Sequence, residues 1–412
     1  MRNIIIYTSM MIMVIIVGQG GFAFSPTESI SKDYKWSLLK WEVSNLPDKW
    51  FHKVKLLAPW YDINFNDEND LQKFFNVSAE INRVKTLGIG NDINTAKVGP
   101  IKITENNRLG EISSLQDRLR PWIEDSLETQ VSTALEKEGL ESRLGFLWPP
   151  VDVALERPPS LLVISPRSII RNDESLLLQP NIKISERDEL ERRILNERDL
   201  SALVIDIGGI ATYPSIVSPA DGLRESLVSV VHEWLHHYWF FKPLGYNYWL
   251  DHDTTMLNES AADMISNELG GHIYRSIVGL DVDVSYSESS RIYQNRFIFY
   301  DEMHKTRLKV EQLLKQGRIE DAEKYMEQRR ELFVDQGYQI RKLNQAYFAF
   351  HGTYADNPAS IGPIKEELQL LRSTTNGIGD FVRQLAKFAS YAEFKERIVM
   401  ISDHKNVEEF ND

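Results

Sequence analysis

The sequence predicts a mostly helical α+β protein. Two long segments, residues 109–140 and 289–350, carry apolar residues at helical spacing, and Gly317 divides the second of them into two helices. Between the two segments, prolines separate short apolar runs that are typical of strands, notably residues 160–164 and 203–207. At 412 residues, with 42% hydrophobic and 26% charged residues, the chain can bury a substantial core.

The first residues predict delivery to a membrane. Arg2 precedes an apolar run over residues 4–17, and Gly21 and Ala23 form a small-residue pattern typical of a signal-peptide cleavage site. The run is intermediate in length between the apolar core of a signal peptide and a membrane span. We therefore expect residues 1–24 to be a signal peptide or a retained anchor, with the rest of the chain outside the cytoplasm. A buried N-terminal helix is the alternative.

Composition excludes several classes of partner and site. The formal net charge is −13, and no cluster of Lys and Arg with interleaved aromatic residues offsets it, so nucleic acid is not an expected partner. The chain has no cysteine, which excludes disulfides, thiolate metal ligands and a cysteine nucleophile. Any metal site must therefore use histidines and carboxylates.

The most specific motif is the sequence His-Glu-Trp-Leu-His at residues 232–236, in a segment with helical periodicity. His232 and His236 lie one turn apart on one helix face, so their imidazoles can share one zinc ion. Glu233 lies beside them, where its carboxylate can accept a proton from water at the metal. The motif predicts a zinc site with a general base. Core histidines that bind no metal are the alternative interpretation.

The helix that carries this motif is expected to begin with a cap at Ser218 and to continue until Pro243, because proline lacks the amide hydrogen that a helix needs. A second helix is expected to begin with a cap at Asp253 or Thr254. It should stop at the glycine pair 270–271, because glycine commonly ends helices.

This second helix carries Asn258, Glu259 and Asp263 in an Asn-Glu-x-x-x-Asp pattern, in which the two acids share one face. Together with the His-Glu-x-x-His motif, the segment resembles the gluzincins, the thermolysin-like zinc metallopeptidases, over about residues 218–271. The resemblance implies that Glu259 is the third zinc ligand. It also implies that Asp263 accepts the spare N–H of a zinc-bound imidazole. A solvated helix face is the alternative interpretation of the two acids.

Hydrolysis at such a zinc also needs a donor for the oxyanion, which gluzincins supply from a Tyr or His distant in sequence. We expect this donor among Tyr347, His351 and Tyr354, of which the first two share a helical face, and Tyr293 is a weaker candidate. Core packing is the alternative role for each. In the resembled class a strand before the motif helix holds the extended substrate, and residues 203–207 occupy that position. An ordinary sheet strand that ends in a glycine turn is the alternative interpretation of these residues.

These expectations combine into one hypothesis. Residues 25–108 would form a helical N-terminal region, and residues 109–412 a zincin-like metallopeptidase domain with a small sheet and a helical C-terminal part. The resemblance implies a zinc-dependent peptidase in which Glu233 activates water to attack a peptide or protein substrate, and the N-terminal apolar run implies that this peptidase is membrane-associated or exported. The sequence leaves open whether it is an aminopeptidase or an endopeptidase. A catalytically silent extracytoplasmic binding protein with a structural zinc, and a helical interaction protein without metal, are the alternatives.

Overall fold

The computed structural model describes most of the chain after the first 26 residues. The described residues are 27–44 without 39 and 43, 71–78, 101–279, 286–355 and 357–409. The predicted signal peptide or anchor, residues 1–24, lies outside them, as does most of the predicted N-terminal region. Among the residues that are described, no helix combines the length and the apolar character needed to cross a membrane.

The described chain is α+β and mainly helical, as predicted, and its strands form two three-stranded sheets. The helices are α1 (Glu28–Ser31), α2 (Ile101–Lys137), α3 (Ile184–Arg198), α4 (Leu223–Trp239), α5 (Pro243–Tyr246), α6 (His252–Val278), α7 (Tyr286–Lys315), α8 (Ile319–Asp335), α9 (Gln345–His351), α10 (Ile364–Ser373), α11 (Ile378–Leu385) and α12 (Tyr391–Glu409). Residues 71–78 are also helical. The strands are β1 (Val153–Leu155), β2 (Ser160–Pro166), β3 (Glu174–Leu178), β4 (Leu200–Asp206), β5 (Gly209–Ile210) and β6 (Ser215–Val217).

The first sheet has the order β3-β2-β4, and both of its neighbouring pairs are antiparallel. Both predicted strands are confirmed, as β2 and β4. Because side chains alternate along a strand, Leu162 and Val204 face one side, where they pack in a cluster with Leu190 of α3, while Val163 and Leu203 face the other side. The sheet is therefore covered on both faces, by α3 and by α9.

The second sheet has the order β1-β6-β5, with β1 parallel and β5 antiparallel to β6. Two buried carboxylates of α2 accept hydrogen bonds from backbone N–H groups of β1. Glu128 accepts the N–H of Val153 at 3.1 Å, and Glu124 accepts that of Leu155 at 2.7 Å. The other edge, β5, follows β4 closely in the chain and lies against α4.

Helices α4 and α6 pack against each other and form the centre of the largest apolar cluster. A Cβ atom at Gly270 would lie 2.9 Å from Val228, so glycine is required for this close approach. The predicted helix stop at residues 270–271 is therefore wrong, and α6 continues to Val278 before Gly279, at φ 65°, ends it. A glycine needed for packing has the same sequence signature as a helix stop.

The start of α4 also differs from the prediction. The helix begins at Leu223, after Gly222 at φ 94°, and not at Ser218. Ser218 instead belongs to a turn in which its hydroxyl accepts the N–H of Ala220 at 3.2 Å. The helix ends at Trp239, before the predicted stop at proline 243. The cap of α6 is Asp251, whose carboxylate accepts the N–H of Thr254, so the predicted caps at 253 or 254 were late by two or three residues.

The C-terminal helices follow the predicted division at Gly317, which has φ 71° and separates α7 from α8. The predicted continuous helix beyond it is wrong, because an irregular segment separates α8 from α9. In this segment the side-chain amide of Asn344 donates to the carbonyl of Ala202 in β4, and its side-chain oxygen caps α9 by accepting the N–H of Tyr347. These bonds hold the start of α9 on the first sheet.

Candidate metal centre

The structure brings the two motif histidines and the predicted third ligand into one group. His232 and His236 project from the middle of α4, with 3.0 Å between their Nε2 atoms. From α6, Glu259 places its carboxylate oxygens 3.4 Å from His232 Nε2 and 3.5 Å from His236 Nε2. One ligand atom from each residue lies within 4.8 Å of the others, which is an arrangement that could hold a metal ion. Among the described residues no other group of His and acidic side chains meets this geometry.

The packing of α4 fixes the orientation of the two rings. Leu227, Val231 and Leu235 are fully buried in a stripe along this helix, and the two histidines lie about 100° around the helix from Val231 and Leu235. In addition, the indole N–H of Trp234 donates to the carbonyl of Pro149 at 2.8 Å, which prevents rotation of the helix. The two histidines therefore stand on a rigid element.

Tyr248 holds the carboxylate of Glu259, the predicted third ligand. Its hydroxyl donates to Oε1 of Glu259, and its ring lies edge-on to that of His236, with 6.1 Å between the centroids. The sequence did not predict a role for Tyr248, because this residue lies in the connection between α4 and α6. No periodic pattern there indicates where a side chain points. The only sequence feature that could have indicated Tyr248 is its position in the short connection between His236 and Glu259.

Glu233 is buried, with 8% of its surface exposed, and its carboxylate lies against the edge strand β5. A Cβ atom at Gly209 would lie 2.6 Å from Oε1 of Glu233, so any residue other than glycine at this position would displace the carboxylate. Burial raises the pKa of this carboxyl to about 7, although the neighbouring His232 acts in the opposite direction. A carboxylate with such a pKa can both take up and release a proton near neutral pH.

The protonation of the ligands is linked. Burial lowers the pKa of His236 to about 4, which leaves this imidazole neutral, as metal binding requires. Burial also acts to lower the pKa of His232, but the hydrogen bond to Glu259 and the nearby carboxylates raise it to about 9. Burial acts to raise the pKa of Glu259, yet the two histidines outweigh it and lower the value to about 2. Without metal, Glu259 and His232 therefore form an ion pair, in which a proton takes the place of a cation.

Asp263 lies one turn beyond Glu259 on α6. Its charge helps to raise the pKa of both His232 and Tyr354, so its carboxylate belongs to the same electrostatic environment as the ligands. Its Oδ1 also accepts a hydrogen bond from the side chain of Asn267 at 3.1 Å. The predicted hydrogen bond from Asp263 to a ligand imidazole stays a prediction.

Of the predicted oxyanion donors whose side chains the structure describes, Tyr354 has its ring beside that of His232. Its ring is 6.4 Å from that of His232, and burial together with the charges of Glu259 and Glu233 raises the pKa of its hydroxyl well above the usual value. A hydroxyl with this pKa stays protonated and can donate a hydrogen bond.

Tyr347 and His351 contact each other, with 4.2 Å between ring centroids, and Tyr347 packs among apolar residues of two clusters. Their described contacts include none of the three ligands. This packing corresponds to the alternative role, although the predicted catalytic role stays a prediction. The side chain of Tyr293 lies outside the described part of the structure.

Comparison of the chain with protein-family models, with curated proteins and with solved structures found no match. The functional argument therefore rests on the geometry of this site.

Proposed function

We propose that the chain is a zinc-dependent peptidase with a zincin-like core. The observation that carries this proposal is the convergence of His232, His236 and Glu259 from two helices beside the buried carboxylate of Glu233. Two imidazoles and one carboxylate are a donor set that zinc prefers, and they leave one position for water or substrate. When bound, the metal would polarise the scissile carbonyl and lower the pKa of a water molecule.

The residues of the chain supply the proton transfers. Glu233 is the general base that takes the proton of the attacking water and later delivers it to the leaving amine. Its pKa of about 7, raised by burial, suits both steps near neutral pH. The hydroxyl of Tyr354, which stays protonated because burial and the nearby carboxylates raise its pKa, is the favoured donor to the oxyanion.

The edge strand β5 supports the choice of a peptide as substrate. Within the described part of the chain, Gly209 and Ile210 pair only with β6, and a Cβ added at Gly209 would meet the carboxylate of Glu233. A peptide added along the free edge would carry its backbone past the general base. In this proposal the site lies outside the cytoplasm, tethered or exported by residues 1–24.

The test replaces Glu233 with Gln, which has the same size and leaves the ligands unchanged. Zinc content and unfolding should stay as in the wild type, whereas hydrolysis of a peptide library should fall by about 10²–10⁴-fold because an amide cannot accept the proton. Glu225→Gln is the matched control, since Glu225 is an exposed acid on the same helix. Full hydrolysis by the zinc-loaded Glu233→Gln protein would exclude this mechanism. Zinc bound by the wild type without any hydrolysis would instead select a binding protein with a structural zinc.

A further inference from the structure

Tyr248 lies in the connection between α4 and α6, the two helices that carry the proposed metal ligands. Its hydroxyl donates to Oε1 of Glu259, and its ring lies edge-on to the ring of His236, with 6.1 Å between the centroids. One side chain thus contacts a proposed ligand from each helix. These contacts make Tyr248 a candidate for the residue that fixes the geometry of the metal group.

Both ends of Tyr248 are attached to α6. Its backbone carbonyl accepts the hydroxyl of Thr255 at 2.6 Å, a closer contact than the 3.2 Å between that hydroxyl and the carbonyl of Asp251. Its side chain ends on Glu259, four residues after Thr255 in the same helix. Because residues four apart lie one above the other on a helix face, Tyr248 spans one turn of α6. The fold therefore directs the phenol at the carboxylate of Glu259.

The hydrogen bond makes the two oxygens of Glu259 unequal. Each oxygen lies near one imidazole, since Oε1 is 3.5 Å from Nε2 of His236 and Oε2 is 3.4 Å from Nε2 of His232. Oε1 in addition accepts the hydrogen of the Tyr248 phenol. An oxygen that accepts such a hydrogen bond has less negative charge to offer to a cation. Oε2 is therefore the oxygen better suited to bind a metal.

We propose that Tyr248 is a positioning residue that makes Glu259 bind the metal through Oε2 alone. The inference rests on the zinc site of the proposed function and specifies how its carboxylate binds. One oxygen of Glu259 and one nitrogen from each of His232 and His236 fill three positions of a tetrahedral zinc site. Both oxygens of Glu259 together would also occupy the position that water or substrate needs. Tyr248 thus keeps the fourth position open.

The first test measures the zinc affinity of the full-length protein by competition with a chelator. Tyr248→Phe removes only the phenol oxygen, and zinc affinity should fall by about 10–100-fold, the usual effect of removing a hydrogen bond to a metal ligand. Tyr246→Phe is the matched control, since Tyr246 belongs to the same connection but is 82% exposed, and it should keep the wild-type affinity. Unchanged affinity in Tyr248→Phe, or an equal fall in both variants, would overturn the proposal.

The second test determines how many atoms bind the metal, with Co(II) in place of zinc. The visible absorption per bound Co(II) is stronger in a four-coordinate site than in a five-coordinate site, so the spectrum reports the coordination number separately from the affinity. Wild type and Tyr246→Phe should give the four-coordinate spectrum. Tyr248→Phe should give the weaker five-coordinate spectrum, because Oε1 is then available to the metal. Identical spectra from all three proteins would overturn the proposal, since a residue that only stabilised the fold would leave the coordination number unchanged.

A third measurement tests whether Thr255 acts through Tyr248. Thr255→Val removes the hydroxyl that holds the backbone of Tyr248, and it should lower zinc affinity less than Tyr248→Phe does. In the double variant the two losses should not add, because without the phenol the direction of the ring no longer affects Glu259. Additive losses would mean that Thr255 acts on the metal group independently, which would contradict the directing role of the fold.

These measurements separate the role of Tyr248 from the proposed hydrolysis. A wild-type protein that binds zinc but hydrolyses no peptide would overturn the proposed peptidase function, whereas the zinc affinities and Co(II) spectra would still decide the role of Tyr248. A wild-type protein that binds neither zinc nor Co(II) would overturn both.

Discussion

Glu191 of α3 and Glu259 of α6 are both buried carboxylates, but their partners differ in charge. Glu191 is completely buried and accepts the N–H of Val204 at 2.7 Å. It also accepts hydrogen bonds from the guanidinium of Arg341 and, at 2.9 Å, from the ammonium of Lys342. Two permanent cations and a backbone donor thus satisfy Glu191 within the protein.

Glu259 is 7% exposed and has a different set of partners, the hydroxyl of Tyr248 and the imidazoles of His232 and His236. None of these three groups carries a permanent charge. The carboxylate therefore requires either a proton on a histidine or a bound cation. Burial alone does not distinguish these two carboxylates, whereas the charge of their partners does.

The largest effect that distinguishes the two carboxylates concerns zinc. Glu259→Gln should abolish stoichiometric zinc binding, because two histidines are too few protein ligands. Metal analysis of the purified protein measures this loss, and zinc should no longer raise the melting temperature of the variant. Glu268→Gln, on the same helix and paired with Arg372, should keep its zinc. Normal zinc content in Glu259→Gln would show that this carboxylate is not a ligand.

Glu191 should give the opposite result. Glu191→Ala leaves Arg341 and Lys342 without their buried partner and should reduce the free energy of unfolding by about 3–5 kcal/mol, while the folded fraction keeps its zinc. Urea unfolding and metal analysis measure the two quantities. Glu189→Ala is the control, since Glu189 is exposed on the same helix and its ion pair with Arg192 should contribute about 0–1 kcal/mol. An equal loss in both variants would remove the distinction between Glu191 and other acids of α3.

The sequence predicted those parts of the site that depend on helix geometry alone. His232 and His236 are neighbours because four residues make about one helical turn, whatever the rest of the chain does. The position of Glu259 followed from the resemblance of a second local pattern. The strands β2 and β4 were also recognisable, since each is a continuous apolar run bounded by polar residues and turns.

The sequence could not predict features that depend on contacts between distant segments. Arg341 lies 150 residues from Glu191, and no local pattern pairs them. Gly270 was mistaken for a helix stop because its role depends on Val228 of another helix. In the same way, the contact between Gly209 and Glu233 arises only when β5 packs on α4.

Gly209→Ala tests how far Glu233, the proposed general base, depends on that contact. The added Cβ would lie 2.6 Å from Oε1 of Glu233 and must displace the carboxylate, so the proposed hydrolysis should fall by about 10²-fold while zinc is retained. Gly208→Ala is the matched control, because its Cβ would make an ordinary contact at 3.5 Å with the hydroxyl of Ser229. Kinetics and zinc content of the two variants decide the question, and equal activity would mean that Glu233 tolerates displacement.

A third buried carboxylate, Glu42, extends the comparison with the smallest expected effect. It is 4% exposed, and burial raises its pKa to about 7 even though a hydrogen bond from the backbone of Tyr213 acts to lower it. Because its ordinary pKa is 4.5, the folded state binds a proton more tightly than the unfolded state does. This contribution to stability is complete below pH 4.5 and is lost as the pH rises through about 7.

The free energy of unfolding of the wild type should therefore fall by about 1–3 kcal/mol between these pH values, and Glu42→Gln should not show this fall. Urea unfolding of both proteins at several pH values measures the difference, with the exposed Glu141→Gln as control. Parallel pH profiles of wild type and Glu42→Gln would mean that Glu42, like Glu191, has a cationic partner in the folded protein.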